Sequence, residues 1–426
     1  MSAKLQQRRA GVYLGRQAIE LGDLLFVRDG RREYSSFGYR DSWLTDSERF
    51  AISPDLPLAT GRMNRRAPTT DDSACPFAFA DTEPDDWGRR IILRAHAGRR
   101  RKDAAVGALT RFDFLAAVDD DSRVGALRLR DQNGEFLRGG NEIRTPQLLD
   151  LAQIYAAARR VEKGNEAELD LRYLLGKATS LGGLRPKCTV RDHDGHLAIG
   201  KFPSIADTRS ITRGEVLALK LASLAGINVA AARIELIEET PVAVIRRFDR
   251  TTDGARIPYL SAGSLLQARR HEDRAYSEVA DQLRSIGADP SRDIPELWRR
   301  LLFNLLISNT DDHLWNLGLL HTSRGLWRLA PAFDLNPFPD RVRESKTWLT
   351  EDNGPITSLA MLLDTSEYFA LSRAEAETEA AAMGTALARW REVATSTDVG
   401  LTERELDAFE PAFEHQDMST ARDLAG

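Results

Sequence analysis

Between Leu301 and Pro339 the chain reads LLFNLLISNTDDHLWNLGLL and then HTSRGLWRLAPAFDLNPFP, and this stretch limits the fold more than any other. The apolar run Leu301 to Ile307 has to be buried, yet it leads straight into the polar turn Ser308-Asn309-Thr310. Asp311 follows, and Asn316 comes five residues later. A second apolar segment reaches a turn at Thr322 to Gly325, and Trp327-Arg328-Leu329 leads on to Asp334 between Phe333 and Leu335. Each polar residue alone reads as a turn former. Together they are three hard oxygen groups held between segments that must leave water. A buried carboxylate needs a cation or hydrogen-bond donors, and Mg²⁺ is a cation suited to oxygen ligands. Metal-dependent phosphoryl transfer asks for such a set: one carboxylate to position the nucleophile, an amide oxygen and a second carboxylate to hold the metal.

Length and composition narrow the setting. At 426 residues, 42% hydrophobic and 29% charged, the chain is long enough for several cores. A formal net charge of −5 argues against gripping nucleic acid through bulk charge. The two cysteines, Cys75 and Cys188, give no disulfide framework and no zinc site, as expected of a protein in the reducing cytoplasm. The N-terminal residues lack the apolar core of a signal peptide, and no run of about eighteen apolar residues exists to cross a membrane.

In chain order, Val12 to Leu14, Leu24 to Val27 and Phe37 to Tyr39 predict strands, and Met63 to Ala74 reads as loop. Acidic Glu83 to Asp86 predicts a helix start before Trp87, and Arg99 to Lys102 is a basic run at its far end. Asp113 to Val118 reads as helix, Arg123 to Leu129 as strand and Leu148 to Val161 as an alanine-rich helix. The glycine-rich Thr179-Ser180-Leu181-Gly182-Gly183 precedes a hairpin whose return strand carries Lys201. Glycine lets backbone N–H groups approach phosphate oxygens, and an ammonium at Lys201 suits the α- and β-phosphates of a nucleotide. Glu215 is expected to open an apolar helix, Val216 to Ala225, closed by Gly226; it either pairs with Lys201 or serves the helix dipole. A second hairpin around Glu238 to Pro241 runs out through Arg246-Arg247-Phe248, which in a two-lobed kinase would be the hinge whose backbone reads the adenine edge. Helices are expected over Glu296 to Ile307, Arg373 to Ala394 and Thr402 to Glu414.

These motifs resemble the HipA-type serine/threonine kinases, toxins of bacterial toxin–antitoxin modules. The resemblance lies in Ser180-Leu181-Gly182-Gly183 with Arg185-Pro186-Lys187, Gly200-Lys201-Phe202-Pro203, Arg247-Phe248-Asp249-Arg250, Asn309-Thr310-Asp311-Asp312-His313 with Asn316, and Leu329-Ala330-Pro331 with Phe333-Asp334-Leu335. Trp87-Gly88-Arg89 and Val124-Gly125-Ala126-Leu127 fit that family's first subdomain. The resemblance implies an α+β, two-lobed protein-kinase-like fold: an N-terminal subdomain over 1–150, a kinase N-lobe over 151–250 and a helical C-lobe over 251–426. It further implies ATP and Mg²⁺ as cofactors, Asp311 as catalytic base, and Asn316 and Asp334 as metal ligands. Lys201, Gly182, Gly183, Arg246 and Phe248 would bind the nucleotide. His313 would sit beside it or fix the loop by hydrogen bonds. Ser180 would be the autophosphorylated serine. Arg246 departs from the acidic or neutral residue that the family often carries there. The implied partners are a small HipB-like helix-turn-helix antitoxin, through which alone DNA is met, and a protein substrate of the aminoacyl-tRNA synthetase class. Two rival readings are a small-molecule phosphotransferase and an inactive kinase-fold co-repressor.

Overall fold

The computed structural model describes residues 5–67, 69, 72–139, 145–175, 183, 185–340 and 342–424. The chain divides into two compact units: Met1–Ile205 with Asp249–Leu260 and Ser323–Gly325, and Ala206–Phe248 with Ser261–Thr322 and Leu326–Gly426.

The first unit is built on an antiparallel sheet of five strands, β1 (Gln6–Leu14), β2 (Ile19–Asp29), β3 (Arg32–Tyr39), β4 (Met63–Arg66) and β5 (Leu127–Arg130), in the order β4-β3-β2-β1-β5. Phe26, Phe37 and Leu24 are buried along β2 and β3. Gly22 pairs with Tyr39, and a Cβ there would lie 2.2 Å from the Gly38 carbonyl oxygen, so only glycine permits this approach. Two expectations are corrected here. The polar Met63–Arg66 is an edge strand rather than loop, because Arg65 lays its guanidinium 3.6 Å over the Phe77 ring and so hides an apolar face. The strand expected from Arg123 begins only at Leu127. Gly125 turns through φ +67°, with its N–H donating to Asp249 Oδ2 at 2.7 Å.

Helix α1 (Asp86–Lys102) starts where the acidic run predicts, with Asp85 as N-cap accepting from the Gly88 N–H at 2.6 Å. Its basic last turn, Arg99 to Lys102, is exposed. Helices α2 (Leu151–Lys163) and α3 (Glu168–Leu175) follow. The hairpin of β6 (Lys187–Arg191) and β7 (Leu197–Lys201) sets Lys187 directly opposite Lys201. Both cysteines are buried, and neither is in a disulfide.

In the second unit, β8 (Ala232–Ile237) and β9 (Thr240–Arg246) form a tighter hairpin than expected. Glu238 and Glu239 alone make the turn, both with positive φ, and Pro241 already pairs with Leu236. Helix α4 (Ile211–Leu224) begins four residues before Glu215. Gly214 lies inside the helix, and the missing side chain makes room for the Phe409 ring, 2.8 Å from where a Cβ would be. Glu215 is therefore past the first turn and 3% exposed, which removes the helix-dipole explanation for it.

Helix α5 (Tyr276–Ile286) precedes α6 (Pro290–Leu306), and β10 (Gly318–Ser323) lies beside β11 (Leu326–Leu329). The helix expected from Arg373 to Ala394 is broken after Leu387 into α7 (Arg373–Leu387) and a short helix, Trp390–Thr395. The chain turns there so that Trp390 stacks on Phe413, with ring centroids 4.7 Å apart. Helix α8 (Glu403–Phe413) starts from a capping box on Thr402. No described helix is long and apolar enough to cross a membrane.

Candidate active site

The geometry begins at the end of α6. Ser308 takes the left-handed conformation, φ +53°, just past the C-cap, and the Asn309 N–H closes back on the Asn304 carbonyl at 2.8 Å. This closure throws the chain out of the helix within two residues. The side chains repeat the tie, Asn309 Nδ2 donating to Asn304 Oδ1 at 3.0 Å. Asn309 Oδ1 then accepts from the Asp311 N–H at 3.4 Å, a long bond, and Asn316 Nδ2 donates to the Asp311 carbonyl at 2.8 Å. Asp311 is thus held from both sides. The amide nitrogen of Asn316 is spent on this bond, which leaves its oxygen to meet a cation. Buried Leu314 and Leu317 anchor the short turn between them.

Asp334 arrives from the other side. Val229 and Ala332 bridge as parallel strand residues, with Ala332 N–H donating to the Asn228 carbonyl at 2.8 Å and Ala230 N–H to the Ala332 carbonyl at 2.9 Å. Asp334 itself has φ +57°, a conformation that Asp tolerates better than most residues and that recurs at functional sites. A buried arginine fixes this approach. Arg300 on α6 donates to the carbonyls of Ala330 (2.9 Å) and Asn228 (3.3 Å), and Glu296 Oε1 accepts from it at 3.0 Å. Glu296 and Arg300 look like an ordinary surface i,i+4 pair in the sequence, and nothing local reveals their role.

A cavity opens between these elements, lined by Asn304, Asn309, His313, Asn316 and Asp334 among apolar neighbours such as Phe333. The His313 imidazole is held below its ordinary pKa, first by burial; Asp311 and Asp334 pull it up and Lys346 pushes it down. Its Nδ1 is buried without a hydrogen bond. Phe248, at the exit of β9, lies 5.4 Å from Phe333 between ring centroids.

In the sequence Asp312 is only one member of the motif; in the fold it is the buried post of the site, 4% exposed. Its Oδ1 accepts from the Lys346 N–H at 2.8 Å and its Oδ2 from the Tyr276 hydroxyl at 3.1 Å. The Thr347 hydroxyl donates to its carbonyl at 3.1 Å. Burial, ahead of these bonds, pushes its carboxyl up to about 6. Lys346 also pairs through Nζ with Asp311 Oδ1.

The structure therefore brings together Asp311, His313, Asn316 and Asp334, with Phe248 beside Phe333. Glu215 and Arg246 belong to the same unit, Glu215 buried on α4 and Arg246 exposed at the end of β9. Lys201 and Gly183 belong to the first unit. Gly183 has φ +89°, and its carbonyl accepts from the Trp87 N–H at 3.2 Å. Ser180 and Gly182 lie outside the described residues. Among the described residues, no three His, Cys, Asp or Glu side chains cluster to hold a metal by themselves. An amide oxygen with one carboxylate, Asn316 with Asp334, instead fits an ion such as Mg²⁺ that completes its shell with phosphate oxygens and water.

Comparison with known proteins settles the family. The model of the HipA N-terminal domain matches residues 12–130, and that of the HipA-like C-terminal domain matches residues 179–400, more than half of the chain. The chain belongs to the HipA family. Its relatives include a protein of Sinorhizobium fredii described as the putative kinase Y4mE, 25% identical over 324 residues, covering 70% of this chain and 71% of the relative. A second from that organism, putative kinase Y4dM, is 34% identical over 94 residues, 21% of this chain and 22% of its own length. Among solved structures, HipA of Shewanella oneidensis MR-1, in complex with HipB and its operator DNA, superposes with a TM-score of 0.69 at 16% identity. The match covers 97% of this chain and 96% of that one, so this HipA-family chain has the α+β fold of HipA.

Proposed function

We propose that this HipA-family chain is an ATP- and Mg²⁺-dependent serine/threonine protein kinase that acts as a growth-arresting toxin. The observation that carries the reading is the Asn316 amide, whose nitrogen fixes the Asp311 carbonyl and whose oxygen is left for a cation beside Asp334. Asp311 orients a substrate hydroxyl. The hydroxyl oxygen bonds to the γ-phosphorus as the bond to the β,γ-bridging oxygen breaks. ADP leaves with that electron pair, and the hydroxyl proton passes to the Asp311 carboxylate. Asn316 and Asp334 would hold Mg²⁺, which when bound neutralises charge on the phosphates. Lys201 is the proposed cation for the α- and β-phosphates, Glu215 its proposed partner, and Gly182 and Gly183 the backbone cradle. Arg246 and Phe248 lie at the proposed adenine-reading exit, and His313 lines the nucleotide side.

Ser180 is the proposed autophosphorylation site: a phosphate of nearly two negative charges there would repel the nucleotide and silence the enzyme. By the family resemblance, the proposed target is an aminoacyl-tRNA synthetase and the proposed restraint a HipB-like antitoxin. The test is phosphoproteomics of cells expressing the chain against cells expressing Asp311→Asn. Serine or threonine sites on a translation protein that appear only with the active chain are expected. Equal phosphorylation and equal toxicity from both would end the kinase reading.

A further inference from the structure

The four residues between Asp311 and Asn316 are Asp312, His313, Leu314 and Trp315, none of them a fixed cation. Asp311 and Asp334 both act on His313, and a triphosphate would add more negative charge to the same place. A lysine from elsewhere in the chain reaches this spot. Lys346 Nζ pairs with Asp311 Oδ1, although 35 residues separate the two.

The lysine does not come from a loose surface segment. Its own N–H is bound to buried Asp312, and the next residue, Thr347, is 4% exposed with its hydroxyl on the Asp312 carbonyl. Trp348 then bridges Ala275 as a parallel strand residue, its N–H on the Arg274 carbonyl at 2.9 Å and its carbonyl accepting from the Tyr276 N–H at 2.9 Å. On the other side, Ser345 Oγ donates to the Thr347 carbonyl and accepts from the Ile356 N–H, each at 2.6 Å. Tyr276 closes the arrangement, since its hydroxyl also reaches Asp312. One buried carboxylate therefore fixes the base of the lysine whose tip meets the neighbouring carboxylate. A half-exposed ion pair is worth little as a stabiliser. Anchoring of this extent has a use if the position of the ammonium matters.

We propose that Lys346 is a positioning residue for phosphoryl transfer: its ammonium holds Asp311 through Oδ1 and leaves Oδ2 for the substrate hydroxyl. The inference rests on the kinase reading above. It assigns to the segment after Asp334 a part in the chemistry, through Asp311 rather than through the nucleotide.

The test uses the full chain, γ-phosphate-labelled ATP with Mg²⁺, and a phosphatase-treated bacterial lysate as acceptor. Binding of a fluorescent ATP analogue is measured in parallel. Lys346→Met is expected to lower the rate at saturating ATP about 100-fold, the scale on which misplacing a reacting group by an ångström is felt. Its affinity for the analogue should stay within about threefold and its melting temperature should hold, because the side chain is half exposed. Lys346→Arg should recover at least about a tenth of the rate, since a guanidinium keeps the charge. In an Asp311→Asn background, Lys346→Met should cost less than about threefold more, because the group it acts through is gone. A Lys346→Met rate near wild type, Arg no better than Met, or fully additive losses in the double variant would overturn the inference. Those results, with Asp311→Asn strongly impaired but still measurable, would leave the kinase reading standing. A wild-type chain that transfers no phosphate would overturn both.

Discussion

Asp85 and Lys187 form an ion pair inside the first unit, each 3% exposed, with Nζ 3.2 Å from Oδ2 and no well-aligned hydrogen bond between them. Asp85 also caps α1. Burial, against the pull of Lys187, raises its carboxyl to about 6. The pair joins the helix start to the strand that follows the glycine-rich stretch, and Trp87 adds its N–H to Gly183. At an effective dielectric near 20, attraction at this distance is about 5 kcal/mol, most of it offset by the loss of hydration. Asp85→Ala removes the cap, about 1 kcal/mol, and strands a buried ammonium, about 3–5 kcal/mol. A total near 5 kcal/mol is expected. Lys187→Met should cost less, because a carboxyl already titrating near 6 can take up a proton in place of its partner. Asp85→Asn with Lys187→Met keeps a capping oxygen and removes both charges, so it should lie within about 1 kcal/mol of wild type. The assay is hydrogen exchange of the α1 amides by mass spectrometry, which reads the local opening free energy without the rest of the chain. The reasoning fails if Lys187→Met proves worse than Asp85→Ala, or if the paired substitution is as damaging as Asp85→Ala.

Other consequences are open to measurement. Asp312 titrates near 6 when folded and near 3.9 when unfolded, so between these values the folded state binds more protons. Its contribution is complete below about pH 4 and falls by about 3 kcal/mol as pH rises through 6; urea midpoints of Asp312→Asn should decline less steeply over that window than those of wild type, and identical slopes would refute the assignment. Arg300→Met takes from buried Glu296 one of its two arginines, Arg299 remaining, and strips a donor from the Ala330 and Asn228 carbonyls; it should cost about 1–3 kcal/mol, seen as a lowered melting temperature. Replacing Glu238-Glu239 by Asn-Gly should stabilise the β8–β9 hairpin by about 1–2 kcal/mol, because both glutamates hold positive φ; a loss in chemical denaturation would count against that turn.

What the sequence displayed was what short range enforces. The helix expected from Thr402 is α8, Gly226 marked the end of α4, and the acidic run before Trp87 the start of α1. The errors came where a distant residue decides. The helix expected to open at Glu215 starts at Ile211 and runs through Gly214, whose empty side Phe409, almost two hundred residues on, fills. Met63–Arg66 has the composition of a loop and pairs as a strand, because an aromatic ring shields one of its arginines. The spacing from Arg373 onward stays helical past Leu387, and only the partner of Trp390 explains the break.

At the site the same division separates the groups proposed to react from the groups that hold them. Asp311, Asn316 and Asp334 stand in one short stretch, because a loop and a hairpin suffice to bring Asn316 and Asp334 to one cavity with Asp311 tied to Asn316 beside it. Their supports are not local. Arg300 reaches carbonyls at Asn228 and Ala330, and Asp312 receives Tyr276, Lys346 and Thr347 from both directions along the chain. A carboxylate buried as deeply as Asp312 persists only with such donors around it. Its neighbour in the motif, Asp311, keeps a partly exposed carboxylate, one oxygen of which pairs with Lys346. Two adjacent aspartates thus divide the work, one buried as a post and one presented to solvent. That division, more than the presence of the motif, gives Lys346 its fixed approach.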